Sequence, residues 1–173
     1  GMPAARAACT SFEESPTTRG LIWAGSDDGL VHVSRDNGKT WNNVTPADWP
    51  EGTINTIDPS HHDPARAVVA MHRYRMGDFT PYLYATNDGG KTFRSIVNNL
   101  PKDAPGDFLH VIREDPTNAN LLFVGSSVAV YASIDKGATW SRFMNGMPTV
   151  PVYDLKIHPR DRELIAATHG RSL

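Results

Sequence analysis

The octapeptide SRDNGKTW at residues 34–41 is repeated, with changes, as TNDGGKTF at 86–93 and as SIDKGATW at 133–140. The shared pattern is Ser/Thr-x-Asp-x-Gly-x-Thr-aromatic. Its acidic residues, Asp36, Asp88 and Asp135, are 52 and 47 residues apart. One motif at a nearly constant period of this length indicates an array of equal supersecondary units.

Short apolar segments precede each octapeptide in the same order. In the first unit an extended segment at 8–12 leads to a proline turn, and apolar segments follow at 21–25 and 30–33. A further short strand comes after the aromatic residue. Because these segments alternate with a period of two, each unit is predicted to be a four-stranded antiparallel meander, which is the blade of a β-propeller.

The predicted fold class is therefore all-β, a partial β-propeller of about three and a half blades. The blades are expected at about 3–50, 51–103 and 104–147, with a half blade at 148–173 that has only the first two strands. Residues 1–2, Gly-Met, are interpreted as a tag remnant and a start methionine. The chain is thus expected to be a fragment of a larger propeller. Open blade edges predict self-association, because exposed edges and apolar blade faces seek partners.

Each octapeptide is predicted to close the turn between the third and fourth strands. The carboxylate can accept hydrogen bonds from turn amides, the glycine permits a positive φ, and the aromatic ring can pack between sheets. A calcium loop is the alternative, but no glutamate stands at the twelfth position. The structural residues are Asp36, Gly38, Thr40, Trp41, Asp88, Gly90, Thr92, Phe93, Asp135, Gly137, Thr139 and Trp140.

These octapeptides are Asp boxes, also called BNR repeats, and the chain resembles the sialidase-like and sortilin-like propeller superfamily. It is most similar to large bacterial BNR-repeat proteins described as glycosyl hydrolase or sortilin-like. Three segments carry the closer similarity: AGSDDGLVHV at 24–33, REDP at 113–116 and ATHGRS at 167–172. The resemblance implies a secreted or periplasmic parent protein, with ligands bound on the face opposite the boxes.

Candidate site residues are therefore sought in the loops between second and third strands and in the linkers between blades. Three carboxylates there, Asp27, Asp28 and Asp78, could act as acid or base in glycoside cleavage. Ligand-binding candidates are Arg73, Arg75, His169 and Arg171, because guanidinium groups bind carboxylates bidentately. A plain reading of the same residues is hairpin turns and solvated strand ends.

Composition excludes several classes of partner. Lys+Arg number 17 and Asp+Glu 19, so the net charge of −2 gives no attraction for nucleic acid or an anionic membrane surface. No apolar run approaches the ~18 residues of a membrane helix, so no membrane insertion is expected. The single Cys9 cannot form an intrachain disulfide. The motifs predict no metal and no cofactor.

Three functions are compatible with these features. The first is a binding or scaffold module for a glycan, peptide or protein ligand, not catalytic by itself. The alternative is part of a glycoside hydrolase, sialidase-like or endoglucanase-like, as the resemblance implies. The third is an assembly factor for a membrane complex. No complete catalytic constellation is present, so whether the parent is an enzyme stays open.

Overall fold

The computed structural model describes residues 7–102, 104–143 and 146–168. These residues form three four-stranded antiparallel sheets and one two-stranded sheet, each with its strands in chain order. The strands of the first two sheets are β1 (Cys9–Glu14), β2 (Ile22–Ser26), β3 (Val31–Ser34), β4 (Asn42–Asn43), β5 (Thr53–Pro59), β6 (Ala67–Arg73), β7 (Asp78–Thr86) and β8 (Arg94–Ser95). Those of the last two are β9 (Leu109–Glu114), β10 (Leu122–Ser126), β11 (Val130–Ser133), β12 (Ser141–Arg142), β13 (Val152–Ile157) and β14 (Leu164–Thr168).

The predicted partial propeller of three and a half blades is confirmed by this architecture. We call the sheets blades 1 to 3 and the half blade. In the described residues the only helical element is the 3-10 turn Tyr74–Met76, which joins two longer strands of blade 2. The first strands, β1, β5, β9 and β13, lie side by side, so they form the inner side of the assembly. The two-residue fourth strands lie outside.

Successive blades pack face to face through apolar side chains. Trp23 and Val33 of blade 1 pack with Ile57 of blade 2 in one buried cluster. Val68 of blade 2 packs with Ile112 of blade 3 in a second cluster. A third joins blade 3 to the half blade through residues that include Phe123, Val130 and Leu155. Each blade therefore depends on its neighbour to bury its apolar faces.

The octapeptides form three equivalent turns. The carboxylate of Asp36 accepts hydrogen bonds from the backbone N–H of Thr40 at 2.8 Å and from its hydroxyl at 2.5 Å. Asp88 makes the same pair with Thr92 at 2.9 and 2.5 Å. In blade 3 the corresponding distances are 2.8 and 2.6 Å. These hydrogen bonds, the threonine hydroxyl first, lower the pKa of each aspartate to about 2.

The aromatic residue of each octapeptide meets the preceding blade where there is one. The indole N–H of Trp140 donates to the carbonyl of Ile96 in blade 2 at 2.8 Å, and Trp140 is 5% exposed. Phe93 packs edge-on against Trp49 in the linker from blade 1. Trp41 instead donates to Gly38 of its own turn and is 38% exposed. The aromatic residue of the octapeptide is therefore more buried where a preceding blade packs on it.

Candidate functional site

The mouth of the inner channel holds a cavity of about 500 Å³, which we call the aromatic cleft. It lies on the side opposite the octapeptide turns, because the strands alternate in direction. Its lining comes from blades 2 and 3 and the half blade: Asn55, His72, Tyr74, Phe108, His110, Ser127, Pro151 and Tyr153. A volume of this size is typical of small-ligand sites in proteins.

Bulges in the first strands bring three of these residues to the cleft. In β5 the pairing with β6 skips Asn55, between Ile54 and Thr56. The corresponding skipped residue is His110 in β9 and Tyr153 in β13. A bulge leaves one residue unpaired and redirects its side chain, and bulges are common beside binding sites. The same irregularity in β1 falls at Thr10. Each first strand therefore presents one bulge residue.

Phe108 is the centre of the ring contacts in the cleft. Its ring stacks on Tyr74 with centroids 4.6 Å apart and lies 4.5 Å from the imidazole of His110. His72 contacts the same ring at 5.3 Å. The row continues from His110 to Tyr153 at 4.8 Å. Rings from blade 2, the linker, blade 3 and the half blade thus form one continuous aromatic surface.

Polar groups are set into this surface. An imidazole nitrogen, Nε2 of His110, lies 3.0 Å from the Ser127 hydroxyl. The Asn55 amide donates to the Leu109 carbonyl at 2.8 Å. At the equivalent bulge of blade 1, which does not line the cleft, the Thr10 hydroxyl donates to the Ile54 carbonyl at 2.6 Å. Nδ1 of buried His72 has no hydrogen-bond partner among the described residues. Side chains of this kind orient a ligand that stacks on the rings.

Burial shifts both imidazoles of the cleft toward their neutral forms. Burial lowers the pKa of His72 to about 4, and the nearby charges of His110 and Arg75 act in the same direction. Burial also lowers the pKa of His110. None of the lining residues is a carboxylate. The cleft is therefore uncharged and suited to ligand groups that stack and share hydrogen bonds.

The sequence candidates Arg73 and Asp78 pair with each other beside the cleft. A guanidinium nitrogen of Arg73 lies 2.6 Å from the Asp78 carboxylate, and its Nε donates to the Glu51 carbonyl at 2.6 Å. Burial raises the pKa of Asp78, but hydrogen bonds from Tyr82 and Thr80, together with the charge of Arg73, outweigh it and lower that pKa to about 2. A carboxylate of this kind is a poor general acid.

Arg75 is exposed and lies with its guanidinium carbon 5.9 Å from the Tyr74 ring centroid. It therefore stands at the rim of the cleft. The two remaining binding candidates, His169 and Arg171, lie outside the described residues.

Asp27 and Asp28 line a separate cavity of about 650 Å³, beside the linker at 46–52. Asp27 accepts a hydrogen bond from the Ala8 amide at 2.8 Å, and Asp28 accepts one from the Ser26 hydroxyl. Glu51 borders the same space. The two candidate carboxylates are therefore together, but away from the aromatic cleft.

The sequence candidates Arg73, Arg75 and Asp78 surround Tyr74 in the chain, but neither Tyr74 nor Phe108 was predicted to have a role. Phe108 lies in a linker without periodicity, and its contacts cross three structural units. In the described residues, no three His, Cys, Asp or Glu side chains are grouped as metal ligands. No helix in the same part of the chain is long and apolar enough to cross a membrane.

Comparison with solved structures identifies propellers. A structure of YCF48 bound to a D1 peptide matches 96% of this chain with a TM-score of 0.70 and 19% identity. The GH74 enzyme of Niastella koreensis matches 92% with a TM-score of 0.73 and 14% identity. The GH74 xyloglucanase of Xanthomonas campestris matches 92% with a TM-score of 0.67 and 15% identity.

The chain spans 49% of that YCF48 chain and 26% of each GH74 chain. At these identities the likeness shows the propeller fold and nothing more specific. The chain matches no protein-family model and no curated protein sequence.

Proposed function

We propose that this chain is part of a propeller that binds a glycan, peptide or protein ligand in the aromatic cleft and has no catalytic activity by itself. The observation that carries the proposal is the continuous row of rings from Tyr74 through Phe108 and His110 to Tyr153. Rings with polar neighbours bind both the apolar face of a sugar and the side chains of a peptide.

The neutrality of the cleft supports binding over catalysis. Glycoside cleavage requires two carboxyl groups on either side of the bond, one of them a proton donor. The lining residues supply none, and Asp78 is held ionised by its partners. The similar structures include both a peptide-bound propeller and glycoside hydrolases, so fold likeness favours neither function.

A binding screen with a matched pair of variants tests this function. The 173-residue chain is applied to a glycan array and to a peptide array, and each hit is repeated with Phe108→Ala and Phe143→Ala. Phe143 is an exposed aromatic residue that packs on Phe123, away from the cleft. We expect Phe108→Ala to weaken binding at least tenfold, since truncating an anchor ring costs ~2 kcal/mol or more.

Phe143→Ala should bind as the unmodified chain does. Tyr74→Ala serves as a second cleft variant if Phe108→Ala does not fold, which circular dichroism shows. Hits that survive both cleft variants, or no hits on either array, contradict the proposal.

A glycoside hydrolase is the second candidate, favoured by the cavity that Asp27, Asp28 and Glu51 share. A panel of fluorogenic glycosides tests it with Asp27→Asn and Asp28→Asn. Turnover that either variant abolishes supports the enzyme. No turnover by the chain, or turnover unchanged in both variants, excludes a role for these carboxylates in cleavage by this chain.

The proposal includes self-association through the open faces of blade 1 and the half blade. The exposed apolar residues Phe12 and Ile165 lie on these faces. Light scattering coupled to gel filtration measures the solution mass. A clean monomer of 19.0 kDa at high concentration would contradict self-association.

A further inference from the structure

The aromatic cleft is formed within the chain and does not involve its outer blade faces. Its lining residues come from blades 2 and 3 and the half blade, whose first strands, β5, β9 and β13, lie side by side. These residues are at the channel mouth and not in a blade junction, so a further blade beside either end of the chain would leave them in place. The shape and charge of the cleft therefore indicate what it binds.

The row of rings has the shape of a groove. Tyr74 and Tyr153 stand at its two ends and are 36% and 47% exposed, whereas Phe108 and His110 between them are half-buried. The planes of Phe108 and His110 meet at 55°, and those of His110 and Tyr153 at 52°. Rings tilted in this way leave notches for compact apolar side chains. A sugar ring instead stacks on an aromatic face that is presented flat.

The length of the row fits one turn of a polyproline II helix. Ring contacts of 4.5 and 4.8 Å lie on either side of His110. The rings of Phe108 and Tyr153 are therefore no further apart than the ~9 Å that three residues of this helix span. A helix laid along the groove places two prolines, three residues apart, on these two rings.

The polar side chains of the cleft already have partners within the protein. The Asn55 amide donates to the Leu109 carbonyl at 2.8 Å, and Nε2 of His110 lies 3.0 Å from the Ser127 hydroxyl. A sugar brings several hydroxyl groups, and each one that is buried without a partner costs ~1–3 kcal/mol. Proline has no N–H, so a proline-rich segment brings mainly carbonyl acceptors. The cleft therefore favours the ligand with fewer polar groups to satisfy.

The charges around the cleft restrict the ligand further. The lining residues include no carboxylate, guanidinium or amine. At the rim, the guanidinium of Arg73 is paired with Asp78 at 2.6 Å, whereas Arg75 is exposed beside Tyr74. Nε of Arg75 donates to the Tyr74 phenol at 3.4 Å, and that phenol can donate its own O–H to a ligand carbonyl. A complementary ligand is uncharged along the groove and has a carboxylate at the Tyr74 end.

We infer that the aromatic cleft binds a proline-rich segment of a partner protein in the polyproline II conformation, with an acidic residue at the Tyr74 end. This inference rests on the binding function proposed above and names its ligand class. Proline fixes φ, so such a segment loses little conformational freedom on binding. Grooves lined by aromatic side chains are the surfaces that recognise these segments in other proteins.

Decaproline peptides with an aspartate at one end and fluorescein at the other test the ligand class. Both orientations are used, and D-proline peptides of the same composition form the helix of opposite hand. Fluorescence anisotropy measures binding to the 173-residue chain. We expect the better L-proline peptide to bind at least tenfold more tightly than its D-proline counterpart. Phe108→Ala and Tyr153→Ala should each weaken that binding at least tenfold, and Phe143→Ala should leave it unchanged.

Arg75→Glu tests the acidic flank with a surface substitution that leaves the aromatic row intact. The matched probe has lysine in place of the aspartate. The unmodified chain should bind the aspartate peptide about two- to fivefold more tightly, as exposed ion pairs contribute ~0.2–1 kcal/mol. The variant should prefer the lysine peptide. A preference that Arg75→Glu leaves unchanged would contradict the inference.

A neutral oligosaccharide, cellohexaose, and peptides without proline distinguish the two possible failures. If Phe108→Ala or Tyr153→Ala abolishes binding of one of these ligands, while L- and D-decaproline bind equally or not at all, the proline-rich ligand is overturned and the binding function stands. If neither cleft variant weakens the binding of any of these probes, both are overturned. Circular dichroism shows that each variant used in this comparison is folded.

Discussion

The contact between Gly25 and Ile54 predicts that a single methyl group in blade 1 will destabilise the chain. A Cβ added at Gly25 lies 2.4 Å from Cγ2 of Ile54 and 3.2 Å from Cδ1 of Ile57. Carbon atoms in protein interiors stay about 3.5–4.0 Å apart. Gly25 does not have a positive φ. The Gly25→Ala variant therefore measures the effect of crowding between the blades and not of backbone strain.

The expected effect is a loss of ~1–3 kcal/mol in the free energy of unfolding, the usual cost of overpacking a core. The 2.4 Å contact is severe and places the overpacking cost in the upper part of that range, ~2–3 kcal/mol. Alanine in a strand otherwise stabilises by ~1 kcal/mol relative to glycine, so the net loss is ~1–2 kcal/mol. For a chain of this size each kcal/mol lowers the Tm by ~2–4 °C. We therefore expect a Tm reduced by about 2–8 °C.

A double-mutant cycle assigns the loss to this contact. Ile54→Ala alone should cost ~2–5 kcal/mol, because it leaves a cavity. In the double variant the new methyl group enters that cavity, so the total should fall short of the sum by at least ~1 kcal/mol. Urea unfolding monitored by tryptophan fluorescence gives the three values. Strict additivity, or a Gly25→Ala variant as stable as the unmodified chain, would refute this account of the blade junction.

Three further predictions concern burial and charge. Trp140→Ala should cost ~3–5 kcal/mol by urea unfolding, and Trp41→Ala much less because its ring has no preceding blade; equal losses would contradict this. Burial raises the pKa of Asp58 to about 7, so between pH 4 and 7 the folded state binds the additional proton and stability falls as pH rises. Asp58→Asn should remove up to ~3 kcal/mol of that loss at pH 8 relative to pH 5, since ~1.4 kcal/mol is lost for each of the two pH units between pH 5 and the folded pKa, and an unchanged pH profile would exclude it. Hydrogen bonds from Thr92 lower the pKa of Asp88 to about 2, so its stabilisation is complete above pH 4 and is lost as pH falls toward 2; Asp88→Asn should reduce the acid sensitivity seen by circular dichroism, and equal acid transitions would count against it.

Repetition explains why the fold could be predicted from sequence. The octapeptide contains its own hydrogen-bonding scheme, since Asp36 bonds Thr40 four residues on and Gly38 bonds the Ser34 hydroxyl. Hydrogen bonds between residues this close in the chain can be predicted from a single sequence. The spacing of the three octapeptides then gives the length of the repeating unit. The secreted or periplasmic location has no such local signal and stays a prediction.

The site was harder to predict because its residues do not repeat. Phe108 gains its role from the rings of Tyr74 and His72, which are far from it in the chain, together with the nearby ring of His110. Arg73 was predicted to bind the carboxylate of a ligand, but the fold pairs its guanidinium with the carboxylate of Asp78. An ion pair of this kind depends on which side chains two strands bring together, and the spacing of residues in the sequence does not predict it.

The bulge positions connect the repeat with the site. The backbone irregularity recurs in all four first strands, while its residue changes from Thr10 to Asn55, His110 and Tyr153. A repeated backbone thus presents a different side chain from each blade at one channel mouth.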